Sequence, residues 1–333
     1  MVAQRWLARP FVRACVLSAT AVAIACGRTS ASRPPPPDPT PSPVAEPRQH
    51  EYRPVQIEMK NVRLHAADGV ILEVSSLRGE MVPRNVRQVP AFDDPNTYVL
   101  HVFSAQLAMD MASLTHLMND FLFAYDGAPL EDIRMEIDDG MLKQIAKLRK
   151  GLKIPVSVKA KVSATPDGRL RLATEKVKAL GVPATKLMDL FGLELDDVVN
   201  LKARRGVEID DNDIVLSPGL VLPPPEIRGR IVSATIVGDK LVQTLSSNTS
   251  VKAMPRPPDA ASPNYIFFSG ETLRFGRLTM TPAALQLIDN DKADWFDFYP
   301  AKYEVQLVAG YSKNTPSGAL KTYMPDRNDL LRR

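Results

Sequence analysis

The sequence predicts an α+β body, a long antiparallel sheet with two or three helices to cover its apolar face, preceded by a disordered tether. Three observations carry that expectation. Apolar and polar residues alternate through most of the chain after Val55, the period of a half-buried strand. Asp-Gly pairs at 68–69, 139–140 and 167–168 mark hairpin turns between the alternating runs. A segment dense in proline, ASRPPPPDPTPSPVAEP, stands ahead of them and offers no apolar period.

The first thirty residues, MVAQRWLARPFVRACVLSATAVAIACGRTS, have the parts of a secretory leader. Arg5, Arg9 and Arg13 are its basic region, and Ala14 to Ala25 is an apolar run too short to span a bilayer as a helix. It ends in Ala23-Ile24-Ala25-Cys26, which resembles the bacterial lipobox, with Ala23 where Leu is usual. The resemblance implies that residues 1–25 are cut away and that Cys26 is lipidated. With Gly27 after it, the expected destination is the periplasmic face of an outer membrane. Cys15 and Cys26 are the two cysteines of the chain, so no structural disulfide is expected.

Residues 26–54 then read as the lipidated cysteine and an extended spacer, with a polyproline reach of about 80 Å. Removing the three leader arginines leaves 39 basic against 38 acidic residues, so the charge balance does not call for nucleic acid.

The folded part is expected over 55–250, with a Pro-rich loop at 251–263 and a β-rich extension at 264–333 packing on the same domain. VQIEM, VILEV and YVLHVF read as strands. In KIPVSVKAKVSATPDGRLRL, Ile154, Val156, Val158, Ala160 and Val162 share one face, and Lys153, Lys159 and Lys161 share the other. With Arg169 and Arg171 these make a basic sheet face, which solvent or anionic headgroups could meet. VEIDDNDIVL reads as a hairpin, and EIRGRIVSATIV, NYIFF, LRFGRLTM and YEVQLVAG as further strands. MLKQIAKLRK has helical propensity but follows a turn, which favours a strand.

Helical spacing is clear in MDMASLTHLMNDFLFAY, with Met111, Leu114, Met118, Phe121 and Leu122 on one stripe and Asp110 or Ser113 as N-cap. It recurs in ATKLMDLFGLELDDVVNL, where Leu187, Leu190 and Phe191 align, and more weakly in TPAALQLID. Such stripes suit either a packed core or the wall of an apolar groove.

Between 110 and 245, LTHLMNDFLF, KGLKIPVSVKAKVSATPDGRLRLATEKVKALGVPATKLMDLFG, GVEIDDNDIVLSP and PPPEIRGRIVSATIVGD together resemble the tubular lipid-binding (TULIP) superfamily, in particular LmeA-like bacterial phospholipid-binding proteins. That resemblance implies a highly curved sheet wrapped around one or two amphipathic helices. It also implies a groove for acyl chains, with Leu114, Leu117, Met118 and Phe121 as one wall. Leu187, Leu190 and Phe191 form another, and Val156, Val158 and Val162 the sheet face. The expected partners are then a phospholipid-like ligand and the membrane, reached through the anchor.

Chemistry is sparse. His65, His101 and His116 lie far apart without metal-ligand spacing, no G-x-S-x-G elbow or phosphate-binding glycine loop occurs, and no cofactor is called for. Asp289, Asp291, Asp294 and Asp297 in IDNDKADWFDF read as turn residues on a solvated loop. Trp295, Phe296, Phe298 and Tyr299 beside them suit a buried knot or an interfacial anchor equally. A non-enzymatic envelope lipoprotein that binds or transfers lipid follows. The alternative is a structural or assembly lipoprotein with no ligand, and a polysaccharide-processing enzyme ranks below both.

Overall fold

In the computed structural model, which describes residues 51–150, 152–179, 182–184, 206–210, 212–247 and 253–332, the alternation of VQIEM becomes strand β1 (Val55–Ala67). A left-handed turn at Asp68-Gly69 returns the chain as β2 (Val70–Pro83). β1 buries Val55, Ile57 and Met59, and then Val62, so its inward face switches parity at Asn61, whose φ is +49°. β2 switches opposite it, burying Leu77 and Met81 but also Val70 and Val74. β3 (Tyr98–Asp110) follows, with register breaks against β2 at Val74/Ser76 and Arg78/Gly79. Such irregularities add local twist to a sheet, and the mostly β body includes a curled half-barrel sheet.

Helix α1 (Met111–His116) starts where Asp110 Oδ1 accepts the Ser113 N–H at 2.7 Å, so Asp110 is the N-cap. Its continuation, Leu117–Leu122, widens into a π-type winding. This removes Phe121 from the stripe that α-helical spacing predicts. Phe121 is 37 % exposed, while Leu117 and Met118 are buried. The segment is stitched to β4 (Leu130–Asp138), because the Asn119 side chain exchanges hydrogen bonds with both backbone groups of Ile133, and Thr115 Oγ1 accepts from Met135 N–H.

A second, fully antiparallel sheet holds β4, β5 (Met141–Lys150), β6 (Leu152–Ala164), β7 (Leu170–Ala179), β8 (Val182–Ala184), β9 (Val207–Asp210) and β10 (Asp213–Leu216). Residues 141–150 are therefore strand, as their position after the turn implies. After the short α2 (Pro218–Val221) the chain rejoins the large sheet through β11 (Glu226–Arg228), β12 (Arg230–Val237) and β13 (Lys240–Ser246).

The residues beyond 264 complete that same sheet. β14 (Tyr265–Gly270) pairs with β1, after which β15 (Leu273–Phe275) and β16 (Leu278–Met280) form a separate hairpin. β17 (Ala283–Asp289) and β18 (Phe296–Phe298) follow, then α3 (Tyr303–Ala309), β19 (Tyr311–Asn314), β20 (Leu320–Met324) and α4 (Arg327–Leu331). The order across the sheet is β12-β13-β3-β2-β1-β14-β17-β20-β19, with β11 joined to β3 and β18 to β1.

Two expected elements exchange identity here. TPAALQLID is strand β17, not a helix, because a short, almost wholly buried run between β14 and β20 has no exposed face for helical spacing to reveal. YEVQLVAG is largely helix α3, not strand. A short 3₁₀ turn beginning at Pro300 leads into it and Gly310 ends it, while Gln306 is buried and Val305 and Val308 face solvent.

One apolar core draws residues from both sheets, including Ile57, Phe268 and Leu285 from the large one and Met135, Leu148 and Val156 from the small one. The basic face of β6 and β7 is neutralised. Lys153 pairs with Glu131 at 2.5 Å, Lys159 with Asp138 at 2.7 Å, and Lys161 with Glu175 at 2.6 Å. Arg169 bridges Asp167 and Glu208, and Arg171 holds Asp213. A lattice of exposed pairs adds little stability, but it leaves these five side chains occupied.

Candidate functional site

Among the described residues, three apolar cavities adjoin one another through shared walls, the first two between the sheets and the third between the large sheet and residues 222–225. The first, of about 100 Å³, is walled by Leu114, Met118 and Leu122 from the helical segment and by Met135, Val158, Leu170 and Leu172 from the small sheet. Gln144 is the one polar side chain on its wall among the described residues. Leu114, Leu170, Leu216 and Leu241 separate it from a middle cavity of about 60 Å³, which Leu117 also lines. Leu72, Leu222 and Ile227 then separate the middle cavity from a third, again about 100 Å³, bounded by Ile57, Leu64, Phe92 and Tyr98.

Of the residues expected to form a groove, Leu114, Leu117, Met118 and Val158 stand on cavity walls. Val156 is buried in the core away from these walls, Val162 packs partly buried against the core, and Phe121 faces outward. Leu187, Leu190 and Phe191 lie outside the described residues, as does Cys26. The walls also use Leu170, Leu172, Leu216 and Leu241. Leu170 and Leu172 alternate with Arg169 and Arg171, so their inward direction was readable from the sequence. What was not readable is that β13, far along the chain, brings Leu241 beside them.

The row changes character at the third cavity, whose wall includes His65, Asp93 and Tyr299. His65 Nε2 makes a short contact with Asp297 Oδ1, and its ring stacks on Tyr299 with centroids 5.3 Å apart. Arg327 Nη1 lies 3.4 Å from His65 Nδ1. A guanidinium only donates, so Nδ1 is the acceptor and the ring proton sits on Nε2, donated to Asp297. Lys302 Nζ lies 5.1 Å and the Arg327 guanidinium 4.5 Å from the Tyr299 ring centroid. Lys302 donates to both carboxylate oxygens of Asp68, at 2.7 and 3.0 Å. That hydrogen bond holds the Asp68 carboxyl below its ordinary range, and burial pushes the Tyr299 hydroxyl up.

The acidic run beside this end is split: Asp291 and Asp294 lie on the exposed loop that composition suggests, whereas its two ends do not. Asp289 and Asp297 are buried, together with Asp326. The carboxylates of Asp289, Asp291 and Asp326 converge within 4.8 Å. Burial pushes Asp326 up to about 8 and Asp289 up to about 6. Their oxygens are engaged by protein donors: Asp326 accepts the Asp297 N–H at 2.7 Å, and Asp289 accepts from Asn264 and from the Asp291 N–H. The neighbouring aromatics form a buried knot, with Phe296 and Phe298 fully enclosed and Phe92 stacked on Phe298 at 6.0 Å.

Comparison of the chain with family models, with curated proteins and with solved structures gives no match. No helix among the described residues is long and apolar enough to cross a membrane.

Proposed function

We propose that the protein is a non-enzymatic envelope lipoprotein, anchored through Cys26, that holds the acyl part of a lipid in a seam that begins between its two sheets and continues along the large one. The observation that carries this reading is the row of three cavities with nearly all-apolar walls. Each is smaller than the roughly 300 Å³ at which ordinary ligand pockets begin. A compact ligand is therefore a poor fit. A polymethylene chain is narrow, and each CH₂ it buries contributes about 0.8 kcal/mol. It could thread the row if the dividing leucines change rotamer, and Met118 and Met135 add adaptable wall.

The curved-sheet resemblance, the lipobox-like AIAC and the proline spacer support the same reading. Native mass spectrometry of the protein after mild purification tests the proposal. A bound mass of phospholipid size, released by organic extraction and regained from vesicles, is expected. A ligand-free mass together with no uptake of fluorescent phospholipid would favour a structural lipoprotein whose cavities are packing voids.

A further inference from the structure

We propose that Lys302, Arg327 and Tyr299 form an anion site beside the polar end of the third cavity, and that it takes a phosphate group. Tyr299 lines that cavity and is 5 % exposed, while Lys302 and Arg327 stand against its ring, off the cavity wall. The two cations share its ring, one at 5.1 Å and the other at 4.5 Å. The anion that stands with them is Asp68, bonded to Lys302, facing the Tyr299 hydroxyl and within the field of Arg327. Its side chain is 73 % exposed on the β1–β2 turn. A carboxylate held this way, with most of its side chain in solvent, marks the position an exogenous anion would occupy.

Arg327 supplies the unspent charge. Among the described residues it makes no ion pair within 4.0 Å, and its contacts are the Tyr299 face and His65 Nδ1. A guanidinium carries five donors in a fixed fork suited to phosphate oxygens. Besides Asp68, three carboxylates oppose the site: Asp93 on the cavity wall, which accepts the Gly276 N–H at 2.8 Å, Asp326, next to Arg327 in the chain, and Asp297, whose Oδ1 meets His65 Nε2. Asp326 keeps its proton to about pH 8, so it adds little repulsion below that. Behind the site the cavity turns apolar, so the chemistry it fits is a phosphate joined to an alkyl chain. The phosphate would sit at Tyr299 and the chain would run toward Leu72. The lipid form of the ligand rests on the seam reading, whereas the anion site itself does not.

The test uses the full chain with dipalmitoyl phosphatidate, dipalmitoylglycerol and inorganic phosphate as probes. The parent is expected to take phosphatidate about tenfold more tightly than the diacylglycerol. Arg327→Gln and Lys302→Gln should each remove most of that preference while leaving diacylglycerol uptake unchanged, and Arg327→Lys should restore part of it. Because Arg327→Gln could disturb the fold, Asp68→Asn is the second variant. It removes the competing carboxylate from an exposed turn and should raise phosphatidate affinity. Equal uptake of both lipids by the parent, or an Asp68→Asn variant no better than the parent, overturns the anion site and leaves the seam intact. Saturable phosphorus NMR shifts of inorganic phosphate, lost in Arg327→Gln and seen without uptake of either lipid, would keep the anion site with free phosphate as its source and sink the seam. Binding of none of the three probes overturns both.

Discussion

Val158 stands on the wall of the first cavity, 9 % exposed in the middle of β6, and Val158→Phe would push a ring into the void. An empty cavity costs about 24 cal/mol per Å³, so about 100 Å³ amounts to about 2.4 kcal/mol that the unliganded fold forgoes. The new ring fills only part of the space, so the expected gain in the delipidated protein is about 1 kcal/mol, read from the denaturant midpoint. The same ring blocks the seam at Met118 and Leu114, so uptake of fluorescent phospholipid should fall. Parent protein should gain stability from added lipid by mass action, and the variant should gain none. In a wall already packed at native density, the substitution would instead cost about 1–3 kcal/mol. A lowered midpoint with unchanged uptake would refute the reasoning, because it would mean the cavity is neither vacant nor on the ligand's path.

Asp326→Asn tests the buried acidic cluster. The folded protein keeps the Asp326 proton to about pH 8, whereas the unfolded chain loses it near 3.8, so stability falls as pH rises across that window. Asn keeps the acceptor for the Asp297 N–H and cannot ionise. The variant should be more stable than the parent by roughly 1–3 kcal/mol at about pH 8, with a flatter pH profile by calorimetry and no advantage at about pH 4. Gln306→Leu should cost about 2–4 kcal/mol, because fully buried Gln306 donates to the Asp297 and Pro325 carbonyls and accepts from the Tyr299 N–H. Faster amide exchange confined first to 297–309 is the expected signature, and unchanged exchange there would count against it. Cys26→Ser should leave the chain unacylated and absent from the detergent phase. Undiminished membrane partitioning of the serine variant would show that the anchor lies elsewhere.

Local chemistry was legible where a short stretch decides the outcome. The turn at Gly140 has φ +71°, the inward run Val156, Val158 and Ala160 keeps its period, and Asp110 caps the helix it precedes. Three of the cavity-lining side chains of α1 and its extension follow from the same spacing. What failed depended on partners remote in sequence. β17 reads as a strand only because β14 and β20 flank it, and α3 reads as a helix only because Gln306 finds buried backbone at Asp297 and Pro325. Phe121 fell off its stripe through a change of helical winding that no side-chain pattern announces. Asp289 and Asp297 are carboxylates, and composition places carboxylates in water. Their burial becomes intelligible only with Asn264, His65 and the backbone donors around them.

The position of β1 bears on how the body withstands force. The strand that leads directly out of the proline segment is not at an edge. It is zipped to β2 along one side and to β14 and β18 along the other. Tension applied to the chain ahead of Val55 therefore runs down the axis of an interior strand and strains the hydrogen bonds of two ladders together, in shear. An edge strand pulled from its end would peel away one bond at a time. Forced unfolding is governed by the rate of crossing the unfolding barrier, not by equilibrium stability. A shear-loaded central strand sets that barrier high for pulls through the N-terminal segment.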